Sequence, residues 1–199
     1  KKSRRNKKYF REDTKIPKEV ELLTNLTKVI KGSDLLLLAV PSSALREVCQ
    51  KISSHCLPTL MTTSKGMERK TNFLPTQVVE NVLRKKNLLH LAWVGFAREI
   101  KKSIPAQAIL AAENQNLLRE FKKLFNFKAR GYQLSTTSDL LGVQLAGALK
   151  NVMAIGIGII NKGDPKIKRK LIKAGVQEMI ALGKIMGAIK ATFLGPAGK

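Results

Sequence analysis

The chain has 199 residues, 44% of them hydrophobic and 26% charged, with 37 Lys and Arg against 14 Asp and Glu for a formal net charge of +23. This is the composition of a globular chain and excludes a disordered one, at a length that suits one domain or two small ones. Two cysteines, Cys49 and Cys56, exclude a disulfide framework and point to a reducing compartment.

Short apolar runs alternate with helical patterns through the first two thirds of the chain. Residues 35–40 (LLLLAV) lie between Gly32-Ser33-Asp34 and Pro41, as a buried parallel strand does. After Pro41, Ser42 and Ser43 are placed to cap a helix whose Leu45, Val48, Cys49 and Ile52 form one apolar stripe. Residues 60–64 form a second strand closed by Lys65-Gly66, and a helix over 75–84 opens on Pro75, which the first helical turn tolerates. Residues 90–94 and 106–112 are the third and fourth strands. Leu117, Leu118, Phe121, Leu124 and Phe125 mark a helix over 114–126, and residues 130–136 form a last strand. Such alternation predicts right-handed crossovers and a mostly parallel sheet.

Beyond residue 136 the pattern becomes helical. Residues 139–160 are apolar and contain Gly142, Gly147, Gly156 and Gly158. Glycines lower helix stability, so several in one helix predict close packing against a neighbouring helix. After Lys162-Gly163-Asp164-Pro165, a second long helix runs to about residue 186 on Ile167, Leu171, Ile172, Val176, Met179, Ile180 and Met186. The expected architecture is a Rossmann-like α/β domain with a parallel sheet over residues 1–136, followed by an all-α domain over 137–199.

The basic N-terminal residues carry no apolar segment of a secretory signal. The longest uninterrupted apolar run, 152–160, falls short of the roughly 20 residues that span a bilayer, so a cytoplasmic chain without a membrane span is expected. A charge of +23 invites nucleic acid, because neutralising phosphates releases counterions. The cations are scattered over turns and polar helix faces, however. Of seven Phe, two Tyr and one Trp, only Tyr9 and Phe10 adjoin a basic cluster, so stacking platforms are scarce. No specific nucleic-acid partner is expected.

The sequence holds no G-x-G-x-x-G, no Walker loop and no G-x-S-x-G. Cys49, His55 and Cys56 match no zinc spacing, so no metal is expected, and His90 at the start of an apolar strand reads as structural. Two lysines stand apart by their surroundings. Lys65 sits in Thr62-Thr63-Ser64-Lys65-Gly66 at the carboxyl end of a strand, the edge where open α/β sheets bind ligands. Lys150 lies inside Leu145-Ala146-Gly147-Ala148-Leu149-Lys150-Asn151-Val152-Met153-Ala154, an otherwise apolar helix. There it either loses its proton readily, as a general acid or base would, or extends its head to solvent.

Residues 139–152, DLLGVQLAGALKNV, resemble the signature of the NAD(P)-dependent glycerol-3-phosphate dehydrogenases of the bacterial type. Arg5-Asn6-Lys7-Lys8-Tyr9 through Ile16-Pro17, Ala39-Val40-Pro41-Ser42, Thr63-Ser64-Lys65-Gly66-Met67-Glu68, Gln177-Glu178-Met179 and Thr192-Phe193-Leu194-Gly195-Pro196 resemble further segments of that family, in the same order. The resemblance implies an oxidoreductase that interconverts sn-glycerol 3-phosphate and dihydroxyacetone phosphate with NADPH or NADH and supplies phospholipid synthesis. It implies Lys150 as the proton donor and acceptor at the substrate C2 oxygen. Lys65, Gly95, Lys150 and Asn151 would bind substrate, and Lys65, Ala97 and Pro41 the cofactor. A homodimer is compatible with it.

Against the family pattern the chain starts after the Gly-rich turn and stops before a later Asp and a Ser-Arg-Asn segment. Its loops at 94–97 and 161–167 are shorter. The expectation is therefore an incomplete dinucleotide-binding domain and a truncated helical substrate domain. The alternative is a catalytically dead remnant of the fold whose basic surface binds an acidic partner such as nucleic acid.

Overall fold

A computed structural model of the protein describes residues 4–5, 15–52, 57–94, 106–125, 132–160 and 164–198. The chain divides into two compact units, Lys1–Ser33 and Asp34–Lys199. In the first, Arg5 and Lys15 form an isolated antiparallel bridge, and the Arg4 guanidinium donates to the Ile16 carbonyl at 3.1 Å. A short helix, α1 (Leu26–Ile30), begins where the Asn25 side chain accepts from the amide of Lys28 at 3.1 Å.

The second unit opens with β1 (Leu35–Leu38), α2 (Ser42–Gln50), β2 (Thr59–Thr62), α3 (Pro75–Leu83) and β3 (Leu89–Val94). There follow β4 (Ala106–Ala111), a helix α4 (Gln115–Leu124) and β5 (Tyr132–Thr137). Three helices close it: α5 (Leu140–Ile159), α6 (Pro165–Ile185) and α7 (Lys190–Leu194). The five strands lie side by side in chain order. β1 with β2, β2 with β3 and β4 with β5 are parallel. β3 and β4 are antiparallel, with His90 opposite Ala111 and Val94 opposite Gln107, so the sheet is mixed and the expectation of a parallel sheet needs correcting at this pair. The link between them is residues 95–105. Parallel neighbours need a crossover of about a dozen residues or more, whereas antiparallel ones accept a shorter connection.

Alternation along β3 sorts its side chains onto two faces. Leu89, Leu91 and Trp93 pack with Met61, Ala108, Leu110, Leu118 and Phe121, under α4. Ala92 and Val94 face the other way, into the cluster of Leu74, Ile109, Val143, Leu145 and Ala146, under α5. The start of α2 also differs from expectation. Pro41 occupies its N-cap position without a side-chain cap bond, so Ser42 is the first residue of the helix rather than its cap.

Asp139 holds α5 in place. Its Oδ1 accepts from the amide of Gly142 at 2.9 Å, while Oδ2 accepts from the amide of Ile189 at 2.9 Å and from the Thr192 hydroxyl at 2.5 Å. One carboxylate thereby caps α5 and ties it to α7. A Cβ on Gly142 would stand 2.1 Å from Asp139 Oδ2. The other helix glycines tell a different story from the expected one. Gly147, Gly156 and Gly158 have nothing within 4 Å of a Cβ position. The close approach comes from the partner helix, where a Cβ on Gly175 of α6 would meet the Met153 side chain of α5 at 2.8 Å. The apolar stripe of α6 is likewise buried only in its second half, at Met179 and Ile180, while Ile167, Leu171 and Ile172 are exposed.

Two substitutions separate these roles. Gly142→Ala pushes the Asp139 carboxylate off the helix start and is expected to lower stability by about 2–4 kcal/mol. Gly158→Ala, in open space, is expected to raise it by about 0.5–1 kcal/mol. Chemical unfolding followed by circular dichroism measures both, and equal effects would show that the Asp139 cap does not hold the helix.

Candidate active site

The carboxyl end of β2 is built to hold a side chain forward. Ser64 is buried and its hydroxyl donates to the Val40 carbonyl at 2.6 Å, which ties the ends of β2 and β1 together. Gly66 turns the chain with φ +106, and a Cβ there would stand 3.2 Å from Ser42 Oγ, so this turn suits glycine on both counts. Beyond it, Arg46 of α2 donates to both oxygens of Glu68, at 2.7 and 2.9 Å. The Arg46 guanidinium and a hydrogen bond from Thr71 hold the Glu68 carboxyl down at about 2. This bidentate pair fixes the loop that follows Lys65.

Lys65, between these two restraints, donates from Nζ to the Trp93 carbonyl at the end of β3, at 2.9 Å. The residue as a whole is exposed, but desolvation of its ammonium lowers its pKa. On the facing helix, Val143, Gln144, Gly147, Lys150 and Asn151 recur at spacings of three and four and so share one side of α5. They line, with Ser64, Lys65 and His90, a cavity of about 180 Å³. Gln144 is buried and fully used: Nε2 donates to Thr76 Oγ1 and to the Leu140 carbonyl, both at 2.8 Å, and Oε1 accepts from the Thr76 amide at 2.9 Å. It locks α5 against the start of α3 and so sets which face Lys150 presents. Desolvation lowers the pKa of Lys150, and the charge of Lys65 lowers it further. Among the described residues, no carboxylate lines the cavity.

The structure thus brings Lys65, Lys150 and Asn151 to one cavity. Pro41 stands at the start of α2 and is not among the residues lining it. Gly95 and Ala97 lie outside the described residues, as do His55, Cys56 and the segment 161–163. Cys49 is fully buried, and burial pushes its thiol up to about 11, as for a core residue. Two cavity residues escaped the sequence reading as site residues, His90 and Gln144. The period-two pattern of β3, which puts His90 on the same face as Ala92 and Val94, was the available signal for the first. For Gln144, whose partner Thr76 is 68 positions away, the sequence held none.

Residues 1–118 match the family model described as NAD-dependent glycerol-3-phosphate dehydrogenase N-terminus, and residues 139–199 match that of its C-terminus. The chain belongs to the NAD-dependent glycerol-3-phosphate dehydrogenase family. It is 36% identical over 194 residues to a glycerol-3-phosphate dehydrogenase (NAD(P)+) of Haemophilus influenzae, covering 95% of this chain and 58% of that protein. It is 32% identical over 190 residues to one from Fusobacterium nucleatum, covering 92% of this chain and 56% of that one. The chain therefore spans less than three fifths of the length of these relatives. The crystal structure of glycerol-3-phosphate dehydrogenase from Coxiella burnetii superposes with a TM-score of 0.87 at 24% identity, over 98% of this chain and 60% of that one, and shares its fold. The corresponding yeast structure does so at 0.77 and 20%, over 92% and 56%.

His90 also makes this family member's stability depend on pH. It is 2% exposed, and burial, with the nearby Lys65 charge, pushes its imidazole down to about 3. An unfolded histidine titrates near 6.5, so below that value the unfolded state takes up a proton that the folded state refuses. The contribution is complete above pH 6.5 and is lost as the pH falls towards 3. Unfolding free energies measured in urea are expected to fall by up to about 1.4 kcal/mol per pH unit below pH 6.5. The His90→Gln variant should lack that slope down to pH 5. A variant with the same slope would place the linkage elsewhere.

Proposed function

We propose that this chain carries the catalytic lysines of an oxidoreductase that interconverts sn-glycerol 3-phosphate and dihydroxyacetone phosphate with NADPH or NADH. One observation carries the reading. Two desolvated lysines, Lys65 and Lys150, face a single cavity with no carboxylate among its described lining residues. An anionic ligand such as a phosphate ester supplies the missing charge and restores the pKa of both ammonium groups. The names of the relatives, each a glycerol-3-phosphate dehydrogenase (NAD(P)+), support the choice of ester.

In the direction of reduction, the bound cofactor supplies hydride to C2 of the ketone, and the developing alkoxide needs a proton. The Lys150 ammonium donates it to the C2 oxygen, and in the reverse direction the neutral amine takes it back. The charge of Lys65 lowers the proton affinity of Lys150, which favours donation, and stabilises the alkoxide as it forms. Asn151, next along the helix, and Gly95 are assigned to substrate. Pro41 and Lys65 follow the carboxyl ends of two adjacent parallel strands, β1 and β2. That is the edge at which such sheets take nucleotides, and with Ala97 these residues would hold the nicotinamide end. In this reading residues 1–136 serve the cofactor and 137–199 the substrate. The product feeds phospholipid synthesis in the cytoplasm, a reducing setting that suits the free, buried thiol of Cys49.

Dihydroxyacetone phosphate reduction followed by NADPH or NADH absorbance tests this. Lys150→Met is expected to lower turnover at least about 10³-fold with cofactor affinity nearly unchanged, and equal turnover would remove Lys150 from the chemistry. Lys65→Ala is expected to weaken both substrate and cofactor. Unchanged affinity for both would remove it from the site.

A further inference from the structure

Lys65 stands at an exposed position on a flexible stem, and a free lysine there would extend its ammonium into water. Instead Nζ donates back to the Trp93 carbonyl of β3, at 2.9 Å. A neutral carbonyl replaces only part of the water that the charge gives up. The pose is therefore held from outside the side chain, by the turn that carries it.

That turn is clamped on its far side. Glu68, three residues on, has a side chain only 15% exposed, and its two oxygens accept from Nε and Nη2 of Arg46. Arg46 Nη1 donates to Asn81 Oδ1 of α3 at 2.9 Å, and the Thr71 hydroxyl donates to Glu68. The Glu68 amide donates to the Phe73 carbonyl, and its own carbonyl accepts from the Asn72 amide, both at 2.9 Å. Through Arg46 one carboxylate thus joins α2 and α3 to the loop after Lys65, and the planar guanidinium fixes direction as well as distance. Ser42, at the start of the helix that carries Arg46, stands beside Gly66 at the bend itself. Among the described residues, the charged and titratable groups about Lys65 are Lys150 of α5 and His90 of β3 in the cavity, with Arg46 and Glu68 beyond the turn.

We propose that Glu68, clamped by Arg46, is a positioning residue that holds the Lys65-Gly66 turn so that the Lys65 ammonium stays on the Trp93 carbonyl, in the same cavity as Lys150. Glu68 then governs Lys150 without lining its cavity. Releasing the turn returns the Lys65 ammonium to water and takes its charge away from Lys150, whose proton affinity that charge lowers. This deepens the oxidoreductase reading, in which Lys150 moves the proton, and rests on it for its meaning in catalysis.

Trace acetylation of the whole chain across a pH series, read by peptide mass spectrometry, tests it. The rate at each lysine is taken relative to its own alkaline plateau, which reports the fraction of free amine. In Glu68→Ala that fraction at pH 8 is expected to fall about threefold for both Lys65 and Lys150, as released amines hold their protons more tightly. The sign is decisive, because loss of a carboxylate acting only through its field would raise the fraction. A rise, or no change at either lysine, overturns the inference and leaves Glu68 as a brace of the loop. Arg46→Lys keeps the charge but cannot span both oxygens, so it is expected to move both lysines in the same direction by less. Should Glu68→Ala fail to fold, an unchanged fraction in Arg46→Lys overturns the inference by itself. Dihydroxyacetone phosphate reduction is followed on the same samples. Its absence in the natural chain overturns the oxidoreductase reading alone, since the labelling is read without turnover.

Discussion

The Asp139 carboxylate is the interaction on which the rest of the site depends. Its two oxygens receive three donors, from the start of α5, from the residue before α7 and from within α7. A buried carboxylate so satisfied is costly to disturb, because any displaced donor is left unpaired in a dry environment. Lys150 lies eleven residues further along α5, about three turns. A rigid helix carries the orientation set at its first turn to that distance. Gln144, bonded to Thr76 and Leu140, adds a second restraint one turn inside. Together they determine that the polar side of an otherwise apolar helix faces the end of β2 rather than solvent.

The β2 end meets that helix with equal preparation. Ser64 ties it to β1, Gly66 turns it beside Ser42, and the Arg46–Glu68 pair secures the loop beyond. Lys65 is held between, with its ammonium on the Trp93 carbonyl. Hydrogen bonding to a neutral carbonyl steadies the charge without cancelling it, so the field of Lys65 reaches Lys150. The sheet contributes the buried, neutral imidazole of His90 to the same cavity.

Much of this was legible in the chain itself. The apolar runs that became β1, β2 and β3 stand out between polar turns, although Leu37 of β1 is exposed, so that strand is not buried on both faces as its apolar run predicts. The long helices were legible because nothing interrupts 139–160 or 165–186. Lys65 and Lys150 stood out by contrast, one at a strand end and one in an apolar helix, and the family resemblance rested on the same segments. The antiparallel pairing of β3 with β4 was not legible, since strand direction depends on a connection whose path the local pattern does not encode. The close contact between α5 and α6 was placed on the wrong helix for a related reason. Four glycines in α5 looked like the site of approach, but a glycine marks a contact only if something reaches it. It is Gly175 of α6 that meets Met153.

The sequence by itself determined the family, the order of the elements and the identity of the two lysines. Each depends on residues close together in the chain, where period, capping and motif act locally. The tertiary structure decided that Lys65 and Lys150 share one cavity, that each loses proton affinity there, and that His90 is a cavity residue. These depend on partners tens of positions apart, such as Thr62 with His90 or Thr76 with Gln144. Only the folded packing removes the water that would otherwise screen the charges and satisfy the polar groups.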